Sequence, residues 1–418
     1  MKTLKLLAIV VFAVLAISPA WATAADWQGT ESTKDGVLQV VNPAEPAEAL
    51  IEIDAVEQWR LGGETDNEDE FFGVIMQIAT DDQDNIYLLD SQLHQVNIYT
   101  KDGEFIRTIG REGEGPGEFR RPGDMMIMPD GNIAVVQAMP GKIVLLSPEG
   151  DPIGNHPVPG SDGTQFFMGC RRSGDGFVVG VTAFSRGEDG FKNIFKMIRV
   201  NPAGDQTAQY FDMENKRDFA NLVFDEKDMN GFTMQWKVGS DGRVYAARTF
   251  DDYRIDVWNA DGTPDRSILR AYQSRKRSPA EMDKASNSFR VMINGREPEK
   301  RISETDRDIQ GMYTRDDGTL WVLSSRGGIA SPDGKIGTFD VFDADGHFTR
   351  QVQINGEGSI ERDGFHFVGD RLYVVTSFVS ARRASFGGGD SDDAEDEEDL
   401  EPMAIICYDL GPELHGSR

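Results

Sequence analysis

Apolar residues in this chain come in short runs of four or five, separated by polar turns at recurring intervals. "NIYLLD" (85–90), "NIAVVQ" (132–137), "GFVVGV" (176–181), "RVYAAR" (243–248), "TLWVLS" (319–324) and "RLYVVT" (371–376) each follow or include a polar turn. A second set runs from an alternating apolar stretch into a turn: "VNIYTKDGEF" (96–105), "IVLLSPEGDP" (143–152), "MIRVNPAGDQ" (197–206), "IDVWNADGTP" (255–264) and "FDVFDADGHF" (339–348). Runs this short, rich in Val, Ile and Tyr and bounded by Gly, Asp and Asn, read as strands. Asp-Gly between such runs marks a hairpin, because the turn needs positive φ at its central positions. Each unit therefore predicts strand, turn, strand, loop, strand, turn, strand, which folds as a four-stranded antiparallel sheet.

The turn positions align at Asn85, Gly131, Gly176, Gly242, Gly318 and Arg371. The first two spacings have the length of a four-stranded propeller blade, and the longer ones carry insertions. Six units predict an all-β chain, a six-bladed β-propeller of four-stranded antiparallel blades over residues 50–410. The sixth unit offers three strands, in "FHFVGDRLYVVTS" (365–377) and "MAIICYDL" (403–410), while "IEIDAVEQWRLGG" (51–63) is spare. That N-terminal strand is expected to complete the sixth sheet and close the ring, which leaves only short edges. Upstream, "VLQVVN" (37–42) within the lead-in 25–49 reads as an added edge strand or a flexible arm.

Three insertions interrupt the pattern, at 207–235, 272–311 and 382–401. In the second, "SPAEMDKASNSFRVMI" (278–293) predicts a helix. Ser278 caps it, Pro279 opens it and Glu281 completes a capping box. Met282, Ala285, Phe289 and Met292 then form a stripe that packs on the propeller. The third, "RRASFGGGDSDDAEDEEDLE", cannot bury a core and is expected to be disordered, and it lacks the DxDxDG spacing of a calcium loop. Residues 411–418 form a tail.

The remaining composition narrows function. "MKTLK", an apolar run and "SPAWATA" give residues 1–24 the form of a secretory signal peptide, so the expected place is the periplasm or the outside. A net charge of −28 disfavours nucleic acid and insertion into an anionic membrane. It leaves a protein or a small polar molecule as partner, with the chain a monomer. Cys170 and Cys407 read as buried thiols.

"NIYLLDSQLHQVNIYTKDGEFIRTIGREGEGPGEFRRPGDM" (85–125), "TLWVLS" and "VFDADGHF" (341–348) resemble the NHL-repeat-like six-bladed propellers of secreted bacterial proteins. Asp90, Ser91, Val96, Ile98 and Tyr99 match the repeat, and Arg254 restores its basic residue in the fourth unit; Leu93 and Gln95 depart from it. The resemblance implies the fold. Propellers host binding, scaffolding and catalysis alike, so function must come from the site.

His94, His156, His347, His366 and His415 fall in no catalytic or metal-ligand motif. The Gly-rich stretch "GREGEGPGEF" (110–119) lacks a GK[ST] ending and a following helix, so it reads as a blade-to-blade crossing with Phe119 inserted between sheets. Within it, Glu114-Gly115-Pro116 resembles the opening motif of calcium-dependent gluconolactonases, whose glutamate binds the channel metal. Here the motif follows the first unit and runs on into "GEFRRPGDM". The expectation is a non-catalytic binding module without a cofactor, with a calcium-dependent lactonase-like hydrolase as the alternative. Ligands on propellers meet the channel mouth. The residues that end each second strand should ring it: Asp90, Gln137, Val181, Arg248, Ser324 and Thr376. Five of the six are polar and suit a small polar ligand.

Overall fold

The computed structural model describes residues 26–67, 70–159, 165–187, 190–217, 223–229, 234–288, 298–385 and 401–411. The leader at 1–24, most of the acidic run, Phe289 and Met292 of the helical stripe, and residues 412–418 lie outside them. Six antiparallel sheets follow one another at 75–109, 122–156, 166–217, 235–270, 309–355 and 364–409, and are termed blades 1–6. The first strands of successive blades stand side by side around a central channel. Between blades 5 and 6 the link is aromatic, with Tyr313 and Phe367 rings 4.7 Å apart.

The second strand of each blade is apolar at almost every position because both of its faces are buried. Ile86 and Leu88 point into a cluster shared with blade 6, whereas Tyr87 and Leu89 point into one shared with blade 2. The same division recurs around the ring, giving six apolar clusters, one at each blade–blade interface. Period-two alternation distributes each strand between two interfaces. Phe119 is fully buried in the cluster between blades 1 and 2. Gly110 makes room for it: its φ is +78°, and a Cβ there would stand 2.5 Å from the Phe119 ring. Cys170 and Cys407 are free and buried.

The N-terminal segment does more than close the ring. Four strands, β1 (Thr30–Lys34), β2 (Val37–Asn42), β3 (Ile51–Asp54) and β4 (Val56–Gly62), run along the outer edges of three successive blades. β1 and β2 form a hairpin, and β2 pairs in parallel with the last strand of blade 4. β3 pairs in parallel with the last strand of blade 5. β4 pairs antiparallel with Ala404–Asp409 and supplies the fourth strand of blade 6. The sequence "IEIDAVEQWRLGG" is thus divided at Ala55 between two blades, rather than serving the sixth alone. Asn42 pins the strap. Its Oδ1 accepts from Trp27 Nε1 (2.8 Å) and from the Phe348 N–H (2.7 Å), and its Nδ2 donates to the Leu269 and Gly346 carbonyls, each at 3.0 Å.

Antiparallel order places all first-to-second and third-to-fourth turns on one face of the ring, the turn face. The second-to-third loops and the blade-to-blade links lie on the other, the loop face. Turn-face connections stay tight; Gly131 and Gly242, for example, have φ of +83° and +82°. The elaborations all fall on the loop face. They include the long hairpin of blade 3 (Gly176–Gly187 with Gly190–Val200), the helix Pro279–Ser288 and the helix Phe378–Ser385. The capping box forms as its sequence implies: the Ser278 N–H donates to Glu281 at 2.6 Å, and the Glu281 N–H to Ser278 Oγ at 3.3 Å. A buried ion network holds this insertion. Arg277 bridges Glu226 and Asp306, and Arg275 bridges Asp306 and Glu281.

Candidate functional site

The residues that end the second strands lie toward the loop face, one strand out from the first strands that wall the channel, and most are engaged in shaping loops. Asp90 is fully buried and accepts from four backbone N–H groups: Gly73 (2.7 Å), Val74 (3.1 Å), Gln92 (2.9 Å) and Leu93 (2.9 Å). Gln137, also fully buried, accepts from the Arg120 N–H and donates to the Pro140 carbonyl. Ser324 caps the short helix Ser325–Gly328 by accepting from the Gly327 N–H. Thr376 Oγ1 accepts from the Ala404 N–H at 2.8 Å. Arg248 is more open. It grips Asp256 through Nε and Nη2 at 2.8 and 2.6 Å, and its guanidinium lies over the rings of Phe211 and Trp258. Glu114 is exposed on the crossing between blades 1 and 2 and pairs with Arg120 at 3.2 Å. Among the described residues, no group of three His, Cys, Asp and Glu side chains is arranged to hold a metal ion.

A different set of side chains meets in the channel. The position five residues before each aligned turn is Thr80, Met126, Arg171, Lys237, Tyr313 and His366 in blades 1–6. All belong to first strands. Met126, Arg171, Lys237, Tyr313 and His366 pair with Ala134, Val178, Tyr245, Trp321 and Tyr373 and form one tier near the turn face, while in blade 1 the equivalent Tyr87 pairs with Ala79, so Ala79 rather than Thr80 stands in it. Blades 3–6 fill it with three nitrogenous side chains and a phenol. Arg171 lies over the Trp236 ring, 5.5 Å from its centre, and Lys237 Nζ lies over the Tyr313 ring at 5.7 Å. The positive charge of Arg171 acts on both Lys237 and His366, and that of Lys237 on His366, so the three share one neighbourhood.

This tier is short of acceptors. Arg171 Nη1 donates to Asp124 Oδ2 and to the Cys170 carbonyl. Asp124 is in turn fixed by the Cys170 N–H at 3.1 Å. Those bonds use one end of the guanidinium and leave its Nε and Nη2 edge, a planar two-donor fork, without a partner among the described residues. Lys237 Nζ, the His366 ring nitrogens and the Tyr313 hydroxyl likewise make no hydrogen bond there. None of these atoms is fully sealed from solvent. All four side chains are only partly covered, yet protein surrounds them. Burial lowers the Lys237 pKa to about 7, helped by the charge of Arg171. Burial also lowers Arg171 to about 10. His366 falls to about 3, through burial first and then the charges of Lys237 and Arg171, so it is neutral at physiological pH. Burial raises the Tyr313 hydroxyl, which keeps its proton. The tier therefore presents donors and positive charge, and can hold an anion.

Sequence reasoning passed over these residues because it followed the second strands. The signal was present: a polar or charged residue at one fixed offset before the turn in four consecutive units, in strands whose neighbours are apolar.

The fold and the channel define a six-bladed β-propeller, for which NHL-like is a fair description. Residues 64–233 match the model of a family described as a 6-bladed beta-propeller. No curated protein matches the chain. Similar solved structures include a Bacteroides fragilis protein at 14% identity, covering 87% of this chain and 99% of that one, with a TM-score of 0.48. Regucalcin, a calcium-binding protein of Agrobacterium tumefaciens, is 11% identical over 87% of this chain and 97% of its own, with a TM-score of 0.45. Virginiamycin B lyase from Staphylococcus aureus is 9% identical over 84% and 98%, with a TM-score of 0.39.

Proposed function

We propose that this protein is an exported, monomeric, non-catalytic binding propeller that captures a small organic anion in its channel. One observation carries the reading: Arg171, Lys237, His366 and Tyr313 stand together in one tier with donors that no acceptor among the described residues uses. Elsewhere in a folded chain, buried polar groups find partners. A cluster of donors without acceptors in a concave, partly covered place is what a ligand site requires. The free Arg171 edge matches a carboxylate in two-point geometry, and Lys237 adds a point charge. Trp236 and Tyr313 supply apolar walls for a carbon skeleton. The signal-peptide form of residues 1–24 supports export, and no helix among the described residues is long and apolar enough to cross a membrane.

The test is calorimetric titration of the purified protein with citrate, pyruvate and inorganic phosphate near pH 6.5. The carboxylates should bind, and Arg171→Gln combined with Lys237→Met should weaken them at least tenfold. If no anion binds, or if the double variant binds as well as the parent, the channel is not the site.

A further inference from the structure

A lysine whose pKa is lowered to about 7 beside a fixed cation can do more than attract an anion. Lys237 is the one amine of the tier, and its surroundings differ from those of a surface lysine. Among the described residues no carboxylate pairs with it, and the Tyr313 ring face, 5.7 Å from Nζ, offers no acceptor lone pair in line. From blade 3 it meets Arg171, whose charge opposes its own. From blade 6 it meets neutral His366. The nearby acid, Asp124 of blade 2, is bound to Arg171 and to the Cys170 N–H. Burial and a neighbouring cation are the two conditions that activate a lysine amine as a nucleophile at neutral pH.

Resting on the anion-binding reading above, we propose that Lys237 captures a 2-oxo acid covalently, as a reversible imine. The substrate class follows from the two groups together. A carboxylate seated on the free Nε/Nη2 edge of Arg171 brings an adjacent carbonyl to the neighbouring amine. The Lys237 nitrogen lone pair attacks the carbonyl carbon, and the C=O π pair moves to oxygen, which takes a proton. The nitrogen loses one proton to give the carbinolamine, the hydroxyl takes a second proton and leaves as water as the nitrogen lone pair forms C=N, and the nitrogen gives up its second proton to solvent. Amine and ketone give imine and water, with no change in oxidation state and no further reactant.

The experiment treats the purified protein with pyruvate and sodium borohydride, which reduces an imine to a stable secondary amine. Peptide mapping by mass spectrometry then locates the adduct. Lys237 should carry it ahead of every other lysine, and labelling should rise steeply as pH passes upward through about 7. Lys237→Arg, which preserves the charge, should remove that adduct. Arg171→Gln should slow labelling by pyruvate at least tenfold, and labelling by the neutral aldehyde propanal by a clearly smaller factor, because it removes the carboxylate seat as well as the charge that helps to lower the Lys237 pKa. Pyruvate that binds calorimetrically without labelling Lys237 would overturn the covalent step alone. Labelling spread evenly over surface lysines would do the same. Absence of both binding and labelling would remove the anion reading along with it.

Discussion

Replacing Asp90 by alanine removes the acceptor for four main-chain N–H groups at once. Their fates differ. The Val74 bond is fully buried, so that N–H is left without water or protein and costs about 2 kcal/mol. Gly73 and Leu93 are half-buried and should each lose about 0.5 kcal/mol, while the exposed Gln92 N–H can turn to solvent at almost no cost. The sum is roughly 3 kcal/mol. With unfolding entropy near 2.1 cal/mol/K per residue, the roughly 340 described residues imply a loss of about 4 °C in Tm for that change. Differential scanning calorimetry measures it directly. Asp90→Asn, which keeps one oxygen, should fall between the two. Because Asp90 stands at the loop-face end of its strand and the Arg171–Lys237 tier near the turn face, the folded Asp90→Ala protein should bind citrate as the parent does. A Tm within about 1 °C of the parent, coupled to lost citrate binding, would refute the reasoning and return Asp90 to the ligand site.

Three further outcomes are expected. Asn42→Ala leaves the Phe348 N–H and two carbonyls unmet at a buried position, so it should cost about 2–3 kcal/mol and expose the 26–50 segment to limited proteolysis; an unchanged urea midpoint and cleavage pattern would show that the strap is not pinned there. Burial pushes the Asp308 carboxyl up to about 6, against a hydrogen bond from Ser274 and with the charges of Asp251 and Asp252 adding to the rise. The native state therefore holds a proton that the unfolded state releases, so stability should increase as pH falls from above 6 toward 4. Asp308→Asn should flatten that slope in urea titrations at several pH values. Calcium should leave Tm unchanged in both the parent and Glu114→Gln, since Glu114 is exposed and paired with Arg120; a calcium-induced rise that the substitution abolishes would restore a metal role for this loop.

The parts of this molecule legible in its sequence are those where one local force acts alone. Turn glycines such as Gly131 and Gly242 announce hairpins because no other residue adopts their φ cheaply. Runs such as "IYLLD" announce strands buried on both faces, and that property belongs to a sheet with a neighbour on each side. The strap was only half legible. Parallel edge pairing of β2 and β3 needs no turn and leaves no turn signature, so nothing in "VLQVVN" or "IEID" specifies which blade receives it. The partner is chosen by Asn42, whose four hydrogen bonds reach residues 227 to 306 positions away as well as the nearby Trp27. The Arg171–Lys237–His366 tier was missed for a related reason. Each member is an ordinary polar residue within its own strand, and it becomes unusual only when ring closure sets blades 3, 4 and 6 around one axis.

That closure also explains how a chain of net charge −28 can hold an anion. Over its outer surface the excess of carboxylates repels one, and beyond a Debye length of about 10 Å at 0.1 M salt that field is largely screened. Inside the channel the low-dielectric walls do the opposite, since they strengthen whatever charge is nearest. There the nearest charges are Arg171 and Lys237, with one acid, Asp124, held to the far end of the guanidinium. On the proposed reading, anion affinity would be a property of a few fixed donors rather than of the whole surface. An acidic exterior discourages loose anion binding everywhere else, so on that reading the tier would be selective as well as attractive.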